Sequence, residues 1–411
     1  MLAAIFFANF LSLSIEAQTV YTWPQIRAKF EAANPTLKAG RIDIDESRAN
    51  ETTAYLRPNP DFTITFDQMD PFTLHPYRPF YNALPWGTLS YLHEREHKRE
   101  LRLQSAQKAT DISISAQADL ERTLTFSLRN AFVATLEAKA IVNLSKENLD
   151  YYDHVLAISS DRLKAGDIAQ VDFDRLQLQR VQYQSDLLTA EVNVRTAKIQ
   201  LLTLLNDRTP VDQFDVTGPY DFANDLSPID HFHQIALDSR PDLKAALETV
   251  EKARTDHQLA IANGSTDPTF SIDAGRNPPL DHYIGVSVTI PLRIFDRNQG
   301  EKQRTELDIG RSERRQDATQ AQVFSDVDSA YAILNNSLTL LRPYKATYLE
   351  QAQRVRSTIT FAYQHGGASL LDFLNAQNEY RAVRLNYLDL IGAYLNAASQ
   401  MDLAVGQEVL P

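Results

Sequence analysis

Residues able to do chemistry are few in this 411-residue chain. His231-x-His233 would set two imidazoles on one face of a strand, as metal ligands are set, yet without an obvious third or fourth ligand. Two ligands rarely make a zinc site. In a Pro- and Asp-rich approach to a helix, the pair also suits capping or solvent exposure. His93, His97 and Lys98-Arg99, at the start of a helical stretch, fit a solvated face or contacts to lipopolysaccharide phosphate. Carboxylates are plentiful, but none stands out as a buried pair, and no Gly-rich phosphate loop, HExxH or GxSxG motif occurs. With no cysteine, disulfides, thiolate metal sites and Cys nucleophiles are excluded together. These residues point away from an enzyme and from a resident cofactor or metal.

Composition narrows the class. A net charge of −12 disfavours a nucleic-acid partner, because phosphate contact needs clustered Lys and Arg. No uncharged run reaches the roughly 18 residues of a transmembrane helix, so a membrane crossing would have to use strands. Residues 1–17 read as an atypical signal peptide. Leu2–Ile15 is apolar and Ala17 suits cleavage, but no Lys or Arg precedes them. A short hydrophobic helix end fits the same residues.

Proline and glycine divide the rest of the chain. None of either falls between Gly87 and Pro210 except Gly166, and Pro343 is the only proline between Pro291 and Pro411. Such stretches, rich in Leu, Ala, Gln, Glu and Arg, predict long helices. Apolar and small residues recur at steps of three and four from Leu128 through Thr135, Ser145 and Tyr152 to Leu163. They resume from Leu176 through Tyr183 and Ala190 to Leu204. That heptad predicts coiled-coil helices of roughly 55 and 35 residues, closely and partly wetly packed, in an elongated body.

The second half repeats the first. Gly166, Asp172, Phe173 and Gln177 correspond to Gly366, Asp372, Phe373 and Gln377, and the seam from Leu176 to Leu204 maps onto Ala376 to Ala404. Asn34–Ala39 matches Arg240–Ala245, and Asn59–Ile64 matches Asp267–Ile272. The order of these blocks divides the chain into 18–208 and 209–411. Each half has a helix, a β-hairpin (about 59–92 and about 268–292) and a long helical hairpin with its tip near 166 or 366. Phe62, Ile64 and Phe66 alternate with threonines, and Ile284, Val286, Val288 and Ile290 alternate with Gly285, Ser287 and Thr289. Gly87–Leu92 and Phe270–Ala274 read as shorter, weaker strands. One apolar and one polar face suit lipid outside and water inside, and equally a small soluble sheet with one buried face. The loop Asp70–Pro85, with Phe72, Tyr77, Phe80 and Tyr81, has the aromatic content of a membrane-interface belt. About four strands cannot close a barrel alone, and open edges in lipid leave backbone groups unpaired. Three chains would supply twelve.

The chain resembles the TolC-like outer-membrane factors, exit ducts of tripartite efflux pumps and type I secretion, over about residues 20–408. The resemblance is carried by the duplication, by Arg162-Leu163-Lys164-Ala165-Gly166 with Asp172, and by Tyr363-Gln364-His365-Gly366 with Leu371-Asp372-Phe373. The segment Ile290–Gly300 looks most like the CzcC-type heavy-metal branch. The resemblance implies a mainly α fold with short β: long coiled-coil hairpins plus two β-hairpins. These would join a trimeric, twelve-stranded outer-membrane β-barrel above an α-helical periplasmic barrel, with a collar from the segments near 21–57 and 206–262. It implies a homotrimer in the bacterial outer membrane, with a periplasmic adaptor and an inner-membrane RND-type pump as partners and heavy-metal cations as the expected cargo. Arg162, Gly166, Asp172, Tyr363, Gly366 and Asp372 would line the aperture or meet the adaptor, and Phe62, Ile64, Phe66, Ile284, Val286 and Val288 would face lipid. Asp172 and Asp372 fit either a cation-selecting aperture or ordinary helix caps. Two features depart from the family. Ala368 stands where some members carry an arginine of the closing network, and without cysteine the chain would rely on its barrel alone for anchoring. A soluble or peripheral coiled-coil scaffold is the alternative of a different class.

Overall fold

In the computed structural model, residues 19–72 and 74–410 are described. The signal-peptide reading of 1–17 lies outside them. The chain runs β1 (Thr19–Tyr21), α1 (Trp23–Ala33), α2 (Pro35–Tyr55), β2 (Asp61–Asp67), β3 (Leu84–Leu92), α3 (Lys98–Ala165), α4 (Gln170–Leu204) and β4 (Phe214–Val216). It continues α5 (Ile229–Ser239), α6 (Pro241–Asn263), β5 (Thr269–Asn277), β6 (Leu280–Thr289), α7 (Gln299–Pro343), α8 (Leu349–Gln364) and α9 (Leu370–Val405). The stretches poor in helix breakers are helices. α4 has 35 residues, and α3 has 68, since it starts just after β3. Helical backbone runs on past Pro343, the last residue of α7, and Tyr344–Tyr348 widen into a π-turn before α8.

Matched sequence blocks begin matched elements. α2 and α6 both start on a proline, whose fixed φ suits the first helical turn. Before Pro35, Asn34 Oδ1 accepts the N–H groups of Thr36 (2.9 Å) and Leu37 (3.1 Å). β2 and β5 start at the third residue of their matched blocks.

Contacts divide the described residues into two compact units, each drawing on both halves of the sequence. The first comprises residues 19–38, 120–239 and 324–410. β1 and β4 pair in parallel within it, Tyr21 opposite Val216, over a core of Ile26, Phe30, Leu128, Phe132, Leu201 and Phe214. Every heptad position from Leu128 to Leu163 and from Leu176 to Leu204 is buried or half-buried, Thr135 and Ser159 included. The small seam residues let backbones approach, and Thr135 and Ser159 donate to carbonyls one turn back in their own helix.

Residues 409 and 410 are latched in this unit. Asp402 Oδ1 accepts the N–H groups of Val409 (2.8 Å) and Leu410 (3.2 Å). Burial pushes its carboxyl up to about 7, with Glu408 adding to the rise and the two N–H groups and Arg129 opposing it. A raised carboxyl holds in the folded state a proton that the unfolded chain has released, so stability falls as pH rises from about 4 through about 7. Asp402→Asn keeps an acceptor for both N–H groups and removes the ionisation. Thermal melts from acid to alkaline pH should show a shallower fall for this variant than for the parent. Glu137, raised to about 7 first by burial and then by Asp389, leaves part of the slope in place.

The second unit comprises residues 39–119 and 240–323 and contains the four-stranded sheet. Its helices meet through polar contacts. Ser115 donates to Glu248 (2.7 Å), Thr110 to Glu51 (2.6 Å), and His257 Nδ1 lies 2.9 Å from Thr305 Oγ1. β3 and β5, each paired on both sides, have nine residues each, longer than the short strands expected.

Candidate functional site: an exposed sheet face and a helical tip

In the second unit, the strands run antiparallel in the order β2-β3-β5-β6. Residues directly opposite across an antiparallel ladder share a face. Phe62 is opposite Leu89, Leu89 opposite Ile272, and Ile272 opposite Val286, so one apolar row crosses the whole sheet. Neighbouring rows run Ile64, Gly87, Ala274, Ile284 and, on the other side, Tyr91, Phe270, Val288. All six sequence-predicted lipid-facing residues (Phe62, Ile64, Phe66, Ile284, Val286, Val288) lie on this face, and all are exposed, Ile284 at 80 % and Val286 at 81 %. The expectation of a soluble sheet with this face buried in its own chain does not hold. The opposite face carries Thr63, Thr88, Ser271, Asp273 and Ser287, and Thr88 Oγ1 donates to Asp273 Oδ1 (2.7 Å). Trp86 also lies there, opposite Gly275, where a Cβ would sit 2.3 Å from the Cβ of Trp86, so only glycine fits. Among the described residues, β2 and β6 pair on one side only, leaving two open edges.

Lys98, read as part of a solvated face, is buried below this sheet. Its Nζ donates to Asp267 Oδ2 (2.6 Å) and to the carbonyl of Ser265 (3.0 Å), joining the start of α3 to the start of β5. Asp267 is held below its ordinary pKa by hydrogen bonds from Lys98 and the N–H of Arg95, which outweigh its burial. Arg99 stacks over Tyr55, 4.3 Å from the ring centre.

In the first unit, the two helical turns share one geometry. Gly166 N–H donates to Leu163 O and Asp167 N–H to Arg162 O; Gly366 N–H donates to Tyr363 O and Gly367 N–H to Ala362 O. Each is a Schellman ending, with the glycine at positive φ, +83° and +74°. Asp172 and Asp372 occupy the third position of the helices that follow. Asp372 completes a capping box with Ser369, whose side chain accepts Asp372 N–H (3.1 Å). Hydrogen bonds from the Ser369 hydroxyl and N–H lower the carboxyl of Asp372. The equivalent N-cap, Ala169, has the extended backbone of a cap but no side chain to accept with. Ala169→Ser should create the second box with Asp172 and add about 1 kcal/mol of stability, read in chemical melts.

Side chains join the turns. Arg162 donates to the carbonyl of Tyr363 (2.8 Å) and its guanidinium lies 5.3 Å from the Tyr363 ring. That ring stacks on Phe373 (4.9 Å), within a cluster containing Tyr152, Leu176 and Tyr183. Burial pushes the Tyr363 phenol up. Nearby is a residue that sequence reasoning missed. Arg356, buried, lies between the rings of Tyr151 (3.5 Å) and Tyr380 (4.2 Å) and donates to Gln377 Oε1 (3.1 Å). Gln377 belonged to the matched blocks and was the available signal.

His231 and His233 do not share a strand face. They lie two residues apart on α5, where such positions point in different directions, and His233 Nε2 is 2.8 Å from Asp328 Oδ1. Among the described residues, no three potential metal ligands gather, and no helix is long and apolar enough to cross a membrane.

Comparison with known proteins gives the same fold. Residues 233–407 match the family model described as outer membrane efflux protein. The chain is 24 % identical over 389 residues to the cobalt-zinc-cadmium resistance protein CzcC of Cupriavidus metallidurans, covering 91 % of this chain and 87 % of that one. It is 24 % identical over 319 residues to the pyoverdine export outer membrane protein OpmQ of Pseudomonas aeruginosa, covering 75 % and 66 %. A crystal structure of CusC, from a study of its folding and transmembrane channel formation, superposes with a TM-score of 0.76 at 17 % identity, over 94 % of this chain and 92 % of that one. The TolC-like resemblance and the mainly helical fold expected from the sequence are borne out.

Proposed function

We infer, from a chain related in sequence and fold to the outer membrane efflux proteins, that it is the outer-membrane exit duct of a tripartite efflux system. One observation carries the reading: a four-stranded sheet that is open at both edges and exposes an entire apolar face. Water penalises the face and lipid penalises the edges, at several kcal/mol per unpaired group. Three copies pooling twelve strands answer both, with the apolar rows outward in lipid and the Thr, Ser and Asp rows around an aqueous lumen. In this arrangement the Gly166 and Gly366 turns form the aperture that a periplasmic adaptor engages, and an inner-membrane RND-type pump supplies the energy. The duct itself conducts passively and is not an enzyme. The relation to CzcC favours heavy-metal cations as cargo.

The purified full chain should fractionate with outer membranes and run as a detergent-stable trimer. Recovery as a soluble monomer would overturn the duct and favour the scaffold. Loss of the gene should sensitise cells to cobalt, zinc or cadmium salts, and sensitivity to drugs alone would count against a metal cargo.

A further inference from the structure

The segment leaving β6 has a feature that the duct reading does not use. Residues 291–298 form an ordered loop closed by their own hydrogen bonds. Ile294 N–H donates to Leu292 O (3.0 Å), Asn298 N–H to Asp296 Oδ1 (2.8 Å), and Arg297 N–H to Gln299 Oε1 (2.8 Å). Asn298 Nδ2 ties the loop to α6 through Ala260 O (2.7 Å). Despite this order, Leu292, Ile294 and Phe295 stand in the open. At 90 %, Phe295 is the most exposed large hydrophobic side chain among the described residues.

Position and charge identify what covers them. The loop comes directly after Thr289, and the exposed Ile290 and Leu292 continue in sequence the apolar alternation of Val286 and Val288 beyond the end of β6. Between Ile290 and Arg304, four basic residues (Arg293, Arg297, Lys302, Arg304) stand against Asp296 and Glu301, in a chain of net charge −12. Arg304 pairs with Glu301. Arg297 and Lys302 have no carboxylate within ion-pair distance among the described residues, and Arg297 is exposed, whereas Arg293 has a buried Nε and helps to lower the carboxyl of Asp267. Apolar side chains beside unpaired cations match the boundary between acyl chains and phosphates, where hydrophobes enter and basic side chains reach the headgroups.

We propose that residues 290–302 are an interfacial anchor. Leu292, Ile294 and Phe295 enter the membrane leaflet on the helix side of the sheet, and Arg297, with Lys302 beside it, holds the phosphates of anionic glycerophospholipids. The anchor rests on the outer-membrane reading and adds a lipid class to it. The test uses Phe295→Trp in the full chain, reconstituted into vesicles of phosphatidylethanolamine and phosphatidylglycerol with lipids brominated at known depths. After subtraction of the parent signal, the introduced indole should emit blue-shifted and be quenched most by bromines near the carbonyl region. In protein that co-floats with the vesicles, red emission would overturn the anchor. Blue emission that no bromolipid quenches would also overturn it, showing a protein surface, such as a second copy, over the loop. Protein that fails to co-float takes down the outer-membrane reading first, and the anchor with it. Arg297→Gln and Lys302→Gln should each weaken retention of phosphatidylglycerol about fivefold, with phosphatidylcholine unaffected. Equal retention of both headgroups would overturn the assignment to anionic lipid.

Discussion

Val286→Arg should abolish recovery of the trimer from outer membranes, whereas Ser287→Arg, one residue away, should leave it within about twofold, a difference under the ~0.5 kcal/mol usual for surface changes. Val286 lies mid-strand in β6 at the end of the row Phe62, Leu89, Ile272, and it is 81 % exposed in the single chain. On a sheet bathed in water, such a position would accept arginine. On a strand facing lipid near mid-bilayer, the same change costs about 2–4 kcal/mol per copy, and a trimer bears it three times. Ser287 points to the other face, with Ser271 opposite and Thr88 and Asp273 nearby, where an aqueous lumen hydrates a guanidinium. The pair therefore separates lipid from water without reference to any transport assay. Equal outer-membrane yields for the two variants would remove the lipid from the account.

The range of each interaction decided how much of the fold and of the two sites was legible in the sequence. Gly166 and Gly366 marked both turns because a helix can end there only with a residue that tolerates positive φ, and that demand is local. The seam was legible for the same reason, since a heptad states which face is buried before its partner is known. Phe62, Ile64, Phe66 and Val286 declared one face of a sheet by alternation alone. What alternation could not say was whether that face meets lipid or the chain's own core, and the exposed rows removed the second option. Interactions between distant residues left no local mark. Arg356 looks like any other charged residue until Tyr151 and Tyr380 close on both sides of it, and Asp402 looks like any exposed carboxylate until residues 409 and 410 fold back. His231 and His233 offered a shared face only if they lay on a strand, and on α5 a spacing of two makes none.

The largest effect on stability should come from another such long-range contact. Asp215, in the three-residue strand β4, accepts from Lys139 Nζ (2.7 Å) on α3 and lies 2.9 Å from Lys198 Nζ on α4, while Lys139 also donates to the carbonyl of Val216 (2.6 Å). One carboxylate thus pins a short strand to two long helices. The side chain of Lys198 is only 11 % exposed and that of Asp215 15 %, so neither is well served by water. Asp215→Ala should cost about 3–5 kcal/mol, because the buried ammonium of Lys198 loses its counter-charge. Lys139, more exposed, adds little to that figure. The hydrogen bonds from both lysines hold the carboxyl of Asp215 below its ordinary pKa, outweighing its burial. A lowered carboxyl stabilises the fold above its unfolded pKa of about 3.9, and the contribution disappears as pH falls through the lower folded value. The parent should therefore lose stability steeply in acid, and Asp215→Ala should lack that part of the loss, so their denaturant midpoints converge at low pH. In the double variant with Lys198→Met the stranded charge is gone, and much of the stability should return. Midpoints that stay apart in acid, or no recovery in the double variant, would assign the loss to β4 packing and not to the buried pair.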